Sequence, residues 1–413
     1  MMSRRLSRAV LAAGLMALPS AADEKTTPNY LALPGTDTRL RIYGVAWINS
    51  WYYFDENLKD TGCLVAGKAD PLNAVSTPDR QFGMTAKNSR IGFTTTTPSA
   101  WLGDVIILVE MDFSRDQAKN GGFNLRHAYA TIGNWTLGYT WSNWLDLEGN
   151  GETVDMNGPV GQACNGTSRF TQVRCRFPIT RRSSLAFSVE QNQMAWEQFQ
   201  DVVNAPKPAP PAPPATLPDA RYPTVTAAYT FSDRRGHVAL RAMEQNYGAY
   251  TPPAKGNPEY RINRWGGAVQ LSGGLRLGKD QLVGSVYTGE GLGEYGTGIQ
   301  GMRFVGVDQP FLPYRNYGWQ AGYTHAWTDK VRSNLVLGAV AFSDNAAALP
   351  TNIQDATNCF VNTFVKLSRN VELGLEYGYE NLHTFGSTAV THRGGASGQN
   401  QSNKLQVSLT ATF

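Results

Sequence analysis

The 413-residue chain has no run of 18 apolar residues beyond its first two dozen positions, so no segment of it qualifies as a transmembrane helix. Helix-period apolar stretches are missing as well, which speaks against a helical bundle. The four cysteines, Cys63, Cys164, Cys175 and Cys359, form no CxxC pair, which removes the usual structural zinc sites. The formal net charge is only +4, and Arg4, Arg5 and Arg8 at the extreme start account for three of those charges. No concentrated basic patch remains, so nucleic acid is not an expected partner. None of the five histidines (His127, His237, His325, His383 and His392) sits in a His-Glu-x-x-His or Gly-x-Ser-x-Gly setting. No acid–base pair of the kind that activates a nucleophile is recognisable. No catalytic residue, metal site or cofactor is therefore expected.

Those three arginines precede an apolar stretch from Ala9 to Leu18 and the small residues Ser20-Ala21-Ala22. A positive start, a short apolar core and a small-residue end predict a secretory signal peptide over 1–22. The apolar run is about half the ~20 residues that a spanning helix needs. A short N-terminal periplasmic segment over 23–38 and one all-β unit over 39–413 complete the expected organisation. Export permits disulfides. Cys63 and Cys164 fall in long loops and are expected to pair, with Cα atoms within ~7 Å. Cys175 and Cys359 fall in strands and are expected to be small buried apolar residues.

The end of the chain carries the clearest strand. Leu405, Val407, Leu409, Ala411 and Phe413 alternate with Gln406, Ser408, Thr410 and Thr412, a period of two. Val371 to Tyr379 and Asp104 to Phe113 repeat the texture. Sixteen strands are expected, near 39–54, 87–97, 103–114, 123–133, 134–142, 169–177, 183–192, 222–231, 236–247, 260–273, 279–289, 316–327, 331–343, 355–367, 371–381 and 403–413. Short connections (Pro98–Leu102, Gly133-Asn134, Ser232–Arg235, Gly273–Gly278, Thr328–Lys330, Ser368–Asn370) alternate with long ones (55–86, 143–168, 193–221, 290–315, 382–402). An even strand count, with short turns at one end and long loops at the other, predicts a transmembrane antiparallel β-barrel. Both termini should lie at the short-turn, periplasmic end. Aromatic residues near strand ends, such as Tyr52, Phe231, Trp327 and Phe413, suit interface girdles. Ala205–Pro218 reads as a polyproline-type spacer in a long outer loop.

A barrel strand turns its apolar residues to lipid. Arg39 and Arg41 flank Leu40, Arg90 precedes Ile91, Arg126 follows Leu125, and Arg174 and Arg176 flank Cys175. All six are therefore expected to face the interior. A charge facing lipid at mid-depth would cost roughly 2–4 kcal/mol. Glu110 and Asp112 should also face inward and could neutralise some of these arginines. The loop after the fifth strand carries Asp146, Glu148, Glu152 and Asp155.

Several short segments, in order along the chain, resemble the DcaP-like family of bacterial outer-membrane porins. They are Leu33-Pro34-Gly35-Thr36-Asp37-Thr38, Asn88-Ser89-Arg90-Ile91-Gly92-Phe93, Leu125-Arg126-His127-Ala128-Tyr129, Leu137-Gly138-Tyr139-Thr140-Trp141-Ser142, Glu152 through Pro159, and Gln172-Val173-Arg174. The resemblance implies an outer-membrane location and a homotrimer of barrels. It also implies a third loop, here 143–168, constricting each lumen, and uptake of small anionic solutes, dicarboxylates among them. One feature departs from the family pattern. Only ten residues separate Ala22 from Leu33, too few for the coiled-coil segment that members often carry there. Arginines lining a pore favour anions, and an acidic loop across from them would set up a transverse field. The alternatives are an adhesin or receptor acting through the long loops, or an outer-membrane enzyme. A plug domain, the mark of an active transporter, has no sequence left to form it.

Overall fold

The computed structural model describes residues 30–54, 80–115, 122–160, 168–192, 217–219, 221–253, 259–296, 301–303, 312–343, 353–385 and 399–413. Sixteen spanning strands carry these residues. They are β1 (Arg39–Tyr53), β2 (Gln81–Thr85 and Arg90–Ser99), β3 (Gly103–Asp112), β4 (Asn124–Ile132), β5 (Trp135–Trp141) and β6 (Arg169–Pro178). Next come β7 (Ser183–Glu190), β8 (Thr224–Asp233), β9 (Gly236–Thr251), β10 (Tyr260–Leu277) and β11 (Asp280–Glu290). The last five are β12 (Arg315–Ala326), β13 (Val331–Phe342), β14 (Ile353–Lys366), β15 (Val371–Thr384) and β16 (Gln399–Thr412). Each strand pairs antiparallel with its sequence neighbour. The sheet closes where β16 pairs with β1, from Val45↔Thr412 to Tyr53↔Lys404. Closure leaves no open edge, a requirement in lipid, where water cannot satisfy backbone groups.

The barrel is inside-out relative to a soluble protein. Along β16, Leu405, Val407 and Leu409 are exposed, while Lys404, Gln406 and Ser408 are buried. Along β9, Val238 and Leu240 are exposed and Arg241 is buried. The exposed belt faces lipid and the buried polar residues face the interior, which fixes the inward face of every strand. Leu271, 50 % exposed, pairs with Leu240 and with Val286 near the middle of β11. Leu271→Arg should therefore lower stability by about 2–4 kcal/mol, whereas Leu271→Phe should be close to neutral. Urea titration of vesicle-reconstituted protein measures both.

The turns follow local chemistry. Gly133 takes φ +57° in the two-residue connection between β4 and β5, a conformation that favours glycine. The carboxy-terminal residue sits at the short-turn end, where the Phe413 and Gly44 backbones exchange hydrogen bonds and the Thr412 N–H donates to Asn370 O. Leu31–Ala32 pairs with Arg39 and Leu40 at the same end.

Two bulges modify the expected strand pattern. The second strand begins at Gln81, not near 87, and its two segments pair with β1 out of step by one residue. Asn49 opposes Thr85, but Val45 opposes Arg90. The extra residue flips parity, so Phe82 and Met84 point outward above it and Ile91 and Phe93 below it. A second irregularity on β4 lies where Glu110 opposes His127 but Met111 opposes Leu125. Arg126 is the added residue, and both it and His127 are buried. At the long-loop end, β9, β15 and β16 extend beyond the expected limits, and at the short-turn end β10 does so. The spacer reading also needs one adjustment, because its last two residues, Leu217–Pro218, pair with Tyr250 and Ala249 of β9. The signal-peptide residues, Cys63 and Cys164 lie outside the described residues. Cys175 is a buried free thiol, and Cys359 is free and only partly buried.

Candidate functional site

The six arginines singled out from the sequence divide into two kinds. Arg126 is 3 % exposed and ion-paired twice, with Nε 3.0 Å from Glu110 Oε1 and Nη1 2.8 Å from Asp112 Oδ2. Strand adjacency explains this, since Glu110 and Asp112 lie on β3 beside it. The other five, Arg39, Arg41, Arg90, Arg174 and Arg176, have no carboxylate at ion-pair distance among the described residues. Arg41 lies over the Tyr43 ring at 5.9 Å and Arg90 over Trp47 at 5.5 Å. Arg174 donates to Gln172 Oε1 and to the Trp141 carbonyl, and Arg176 donates to Ser184 Oγ at 3.0 Å. All of these acceptors are neutral.

The segment after β5 behaves differently. Its described residues run along the inner faces of β7 to β16. Asn143 donates its backbone N–H to Glu190 Oε1 on β7 at 3.0 Å and its amide to Thr226 Oγ1 on β8 at 2.9 Å. Trp144 is fully buried with Phe170, Tyr287 and Tyr295, and its indole donates to Tyr295 O. Asp146 meets His237 Nε2 at 2.9 Å, Arg241 Nη1 at 3.1 Å and the Ser272 hydroxyl at 2.6 Å. Gly149 and Gly151 bond through their backbones to Gln320 on β12. Glu152 takes a two-pronged bond from Arg332 on β13 (2.7 and 2.6 Å). The backbone N–H groups of Val154 and Asp155 donate to the Glu376 carboxylate on β15 at 2.7 and 2.8 Å. Asp155 pairs with Lys404 on β16 at 2.6 Å, and both side chains are fully buried.

Three of the four loop acids are thus clamped to wall cations, and Glu148, with 73 % of its side chain exposed, reaches only His237 Nδ1 at 3.8 Å. Burial resists ionisation of Asp146, but the hydrogen bond from His237 and the charge of Arg241 outweigh it and hold its carboxyl well below the usual carboxylate range. A depressed carboxylate stabilises fully above its unfolded value and loses that contribution only as pH falls through the folded value. Asp146→Asn should therefore destabilise the barrel by about 2 kcal/mol at pH 7 and still at pH 4.5, converging with the parent only in stronger acid. Thermal unfolding of both proteins across that range checks this.

Arg169, Arg241, Arg332 and Lys404, with Glu372 and Glu376, are interior charges beyond those expected from the sequence. Apart from Arg169, their signal was the same parity rule: Arg241 follows exposed Leu240, and Lys404 precedes exposed Leu405. Arg169, at the outer end of β6, is 6 % exposed, lies over the Trp141 ring at 4.4 Å, and is close enough to Arg126 for their charges to interact. Among the described residues no group of three or more His, Cys, Asp or Glu side chains could hold a metal ion.

The fold has counterparts of known structure. The outer membrane channel DcaP of Acinetobacter baumannii superposes with a TM-score of 0.74 at 20% identity, covering 91% of this chain and 97% of that one. The trimer form of OmpT, an outer membrane protein of Vibrio cholerae, gives 0.57 at 12% identity over 91% of this chain and 99% of that one. An anion-selective porin from Comamonas acidovorans gives 0.54 at 11% identity over 91% and 100%. No curated protein matches the chain by sequence. The profile of the DcaP outer membrane protein family matches residues 12–391. Profile and barrel agree, and the chain, a porin of the bacterial outer membrane, belongs to the DcaP outer membrane protein family.

Proposed function

We propose that the channel is passive and favours small anions, with dicarboxylates the best fit. The observation that carries this reading is the unequal pairing of its charges. Five arginines on β1, β2 and β6 face the interior without a carboxylate partner, while Asp146, Glu152 and Asp155 are held by Arg241, Arg332 and Lys404. An ion entering a narrow lumen gives up part of its hydration, and charge-assisted hydrogen bonds from guanidinium groups offset that loss. A planar guanidinium fork fits a carboxylate, and two of them can hold a dicarboxylate at both ends. Release requires that each contact stay weak. The clamped segment 143–160 narrows the passage opposite this wall and keeps the field across it pointing one way. The first 22 residues serve export and are removed, and three barrels pack side by side as in the trimer form of OmpT.

The test is a reversal potential in a planar bilayer under a salt gradient. Anion preference is the expected outcome. A cation preference, with Glu148, Glu152 and Glu372 dominating the passage, sinks the reading.

A further inference from the structure

Five successive turns at the short-turn end carry an unusual charge pattern. Arg181 and Arg182 lie between β6 and β7, Arg234 and Arg235 between β8 and β9, Lys279 between β10 and β11, Lys330 between β12 and β13, and Arg369 between β14 and β15. All seven are exposed. Only three carboxylates lie among them, and each is already engaged. Asp233 accepts the Arg235 backbone N–H, Asp280 accepts from Tyr323, His325 and the Ala326 backbone, and Asp329 pairs with Lys279 at 3.1 Å. Among the described residues, the side chains of Arg181, Arg182, Arg234, Arg235 and Lys330 make no hydrogen bond or ion pair. The two turns that join β2–β3 and β4–β5 carry no cation at all.

The depth of these cations is fixed by their neighbours. Each turn abuts a large outward apolar residue at the edge of the lipid-facing belt: Ile179 (58 % exposed), Phe231 (40 %), Leu277 (48 %), Trp327 (64 %) and Leu367 (56 %). Exposed indole and phenyl rings mark the membrane–water interface. The backbone also holds the turns in place: Arg182 O accepts the Ser232 N–H, Arg235 O the Arg276 N–H and Lys330 O the Lys366 N–H, all within 2.8 Å. Guanidinium and ammonium groups are therefore held at headgroup depth along a fixed arc from β6 to β15.

We propose that this arc binds the headgroups of anionic phospholipids in the inner leaflet, drawing a shell of acidic lipid around one side of the barrel. A phosphate diester without a compensating ammonium suits an arginine fork. Basic residues beside a membrane are drawn to anionic lipid over zwitterionic lipid, and the pull weakens with salt. The apolar flanks favour lipid over a soluble phosphate, which gains nothing from Ile179 or Trp327.

The test uses the protein reconstituted in phosphatidylcholine vesicles with trace spin-labelled phosphatidylglycerol or phosphatidylcholine, reading the fraction of immobilised label. Phosphatidylglycerol should associate at least about threefold more strongly at low salt. The preference should fall to parity in R181Q/R182Q/R234Q/R235Q and fall part-way in R181Q/R182Q and R234Q/R235Q separately. The paired variants keep the test open if the fourfold one does not insert. Unchanged single-channel conductance reports an intact barrel. Equal association of the two lipids with the parent, or a preference that survives in all three variants, overturns the proposal. So does displacement of phosphatidylglycerol by inorganic phosphate beyond the effect of chloride at equal ionic strength, which would mark a site for a soluble anion.

Discussion

Lys404→Met should lower the unfolding free energy of the barrel by about 3–5 kcal/mol and raise its single-channel conductance. Lys404 and Asp155 are both fully buried and 2.6 Å apart. The charge of Lys404 also reaches Glu376 and Glu380, which are buried on the next strand. Removing the ammonium leaves three carboxylates grouped together in a low-dielectric wall. Breaking a buried pair from one side strands the other charge, and that exceeds the net worth of the intact pair. The same pair ties the 143–160 segment to β16, so its loss should loosen the segment and widen the passage. Denaturant titration and bilayer recording read the two effects separately. Asp155→Leu combined with Lys404→Met should recover part of the stability, since two buried carboxylates are then grouped instead of three, but not the narrow conductance. If Lys404→Met alone changes neither quantity, the pair is not the latch.

The second large effect concerns selectivity. In Arg90→Gln/Arg174→Gln, the anion-to-cation permeability ratio should fall by about tenfold or more. A charge-assisted hydrogen bond is worth roughly 1.5–3 kcal/mol, and a partly hydrated permeant ion should keep about half of that at each arginine. Neither residue is ion-paired to a carboxylate among the described residues, so the barrel should remain folded and the reversal potential should carry most of the effect. Arg126→Gln provides the contrast. That side chain is the shared partner of Glu110 and Asp112, both nearly fully buried. Its loss should destabilise by about 3–5 kcal/mol, with any selectivity change secondary to that. Should Arg126→Gln fold normally while the double variant keeps its anion preference, the division into paired and unpaired arginines is wrong.

The bulges show how far local reading carries. One step from Ile91 and from Leu125 puts Arg90 and Arg126 on the inward face, and the one-residue slips near them do not disturb that short count. A count begun from the far end of either strand would have given the opposite face, because side-chain direction has a period of two and one inserted residue inverts it. The limits of the strands are less legible. The extension of β10 to Leu277 depends on Leu275, Arg276 and Leu277 pairing with β11, and glycines such as Gly273 and Gly274, just before them, resemble a turn when read alone.

The sequence by itself determined the sixteen strands, the alternation of short turns with long loops, and the end of the barrel that carries the short turns. All of these follow from period-two alternation and turn chemistry within a few residues. The tertiary structure alone decided which charges remain available. Arg126 and Arg174 are the same residue type on the same face, yet one is neutralised from the adjacent strand and the other is not. Glu152 and Asp155 look like free loop acids in the sequence, but their partners Arg332 and Lys404 stand 180 and 249 positions away. Ion pairing falls off within a few ångströms, and only closure of the whole barrel brings such distant residues that close.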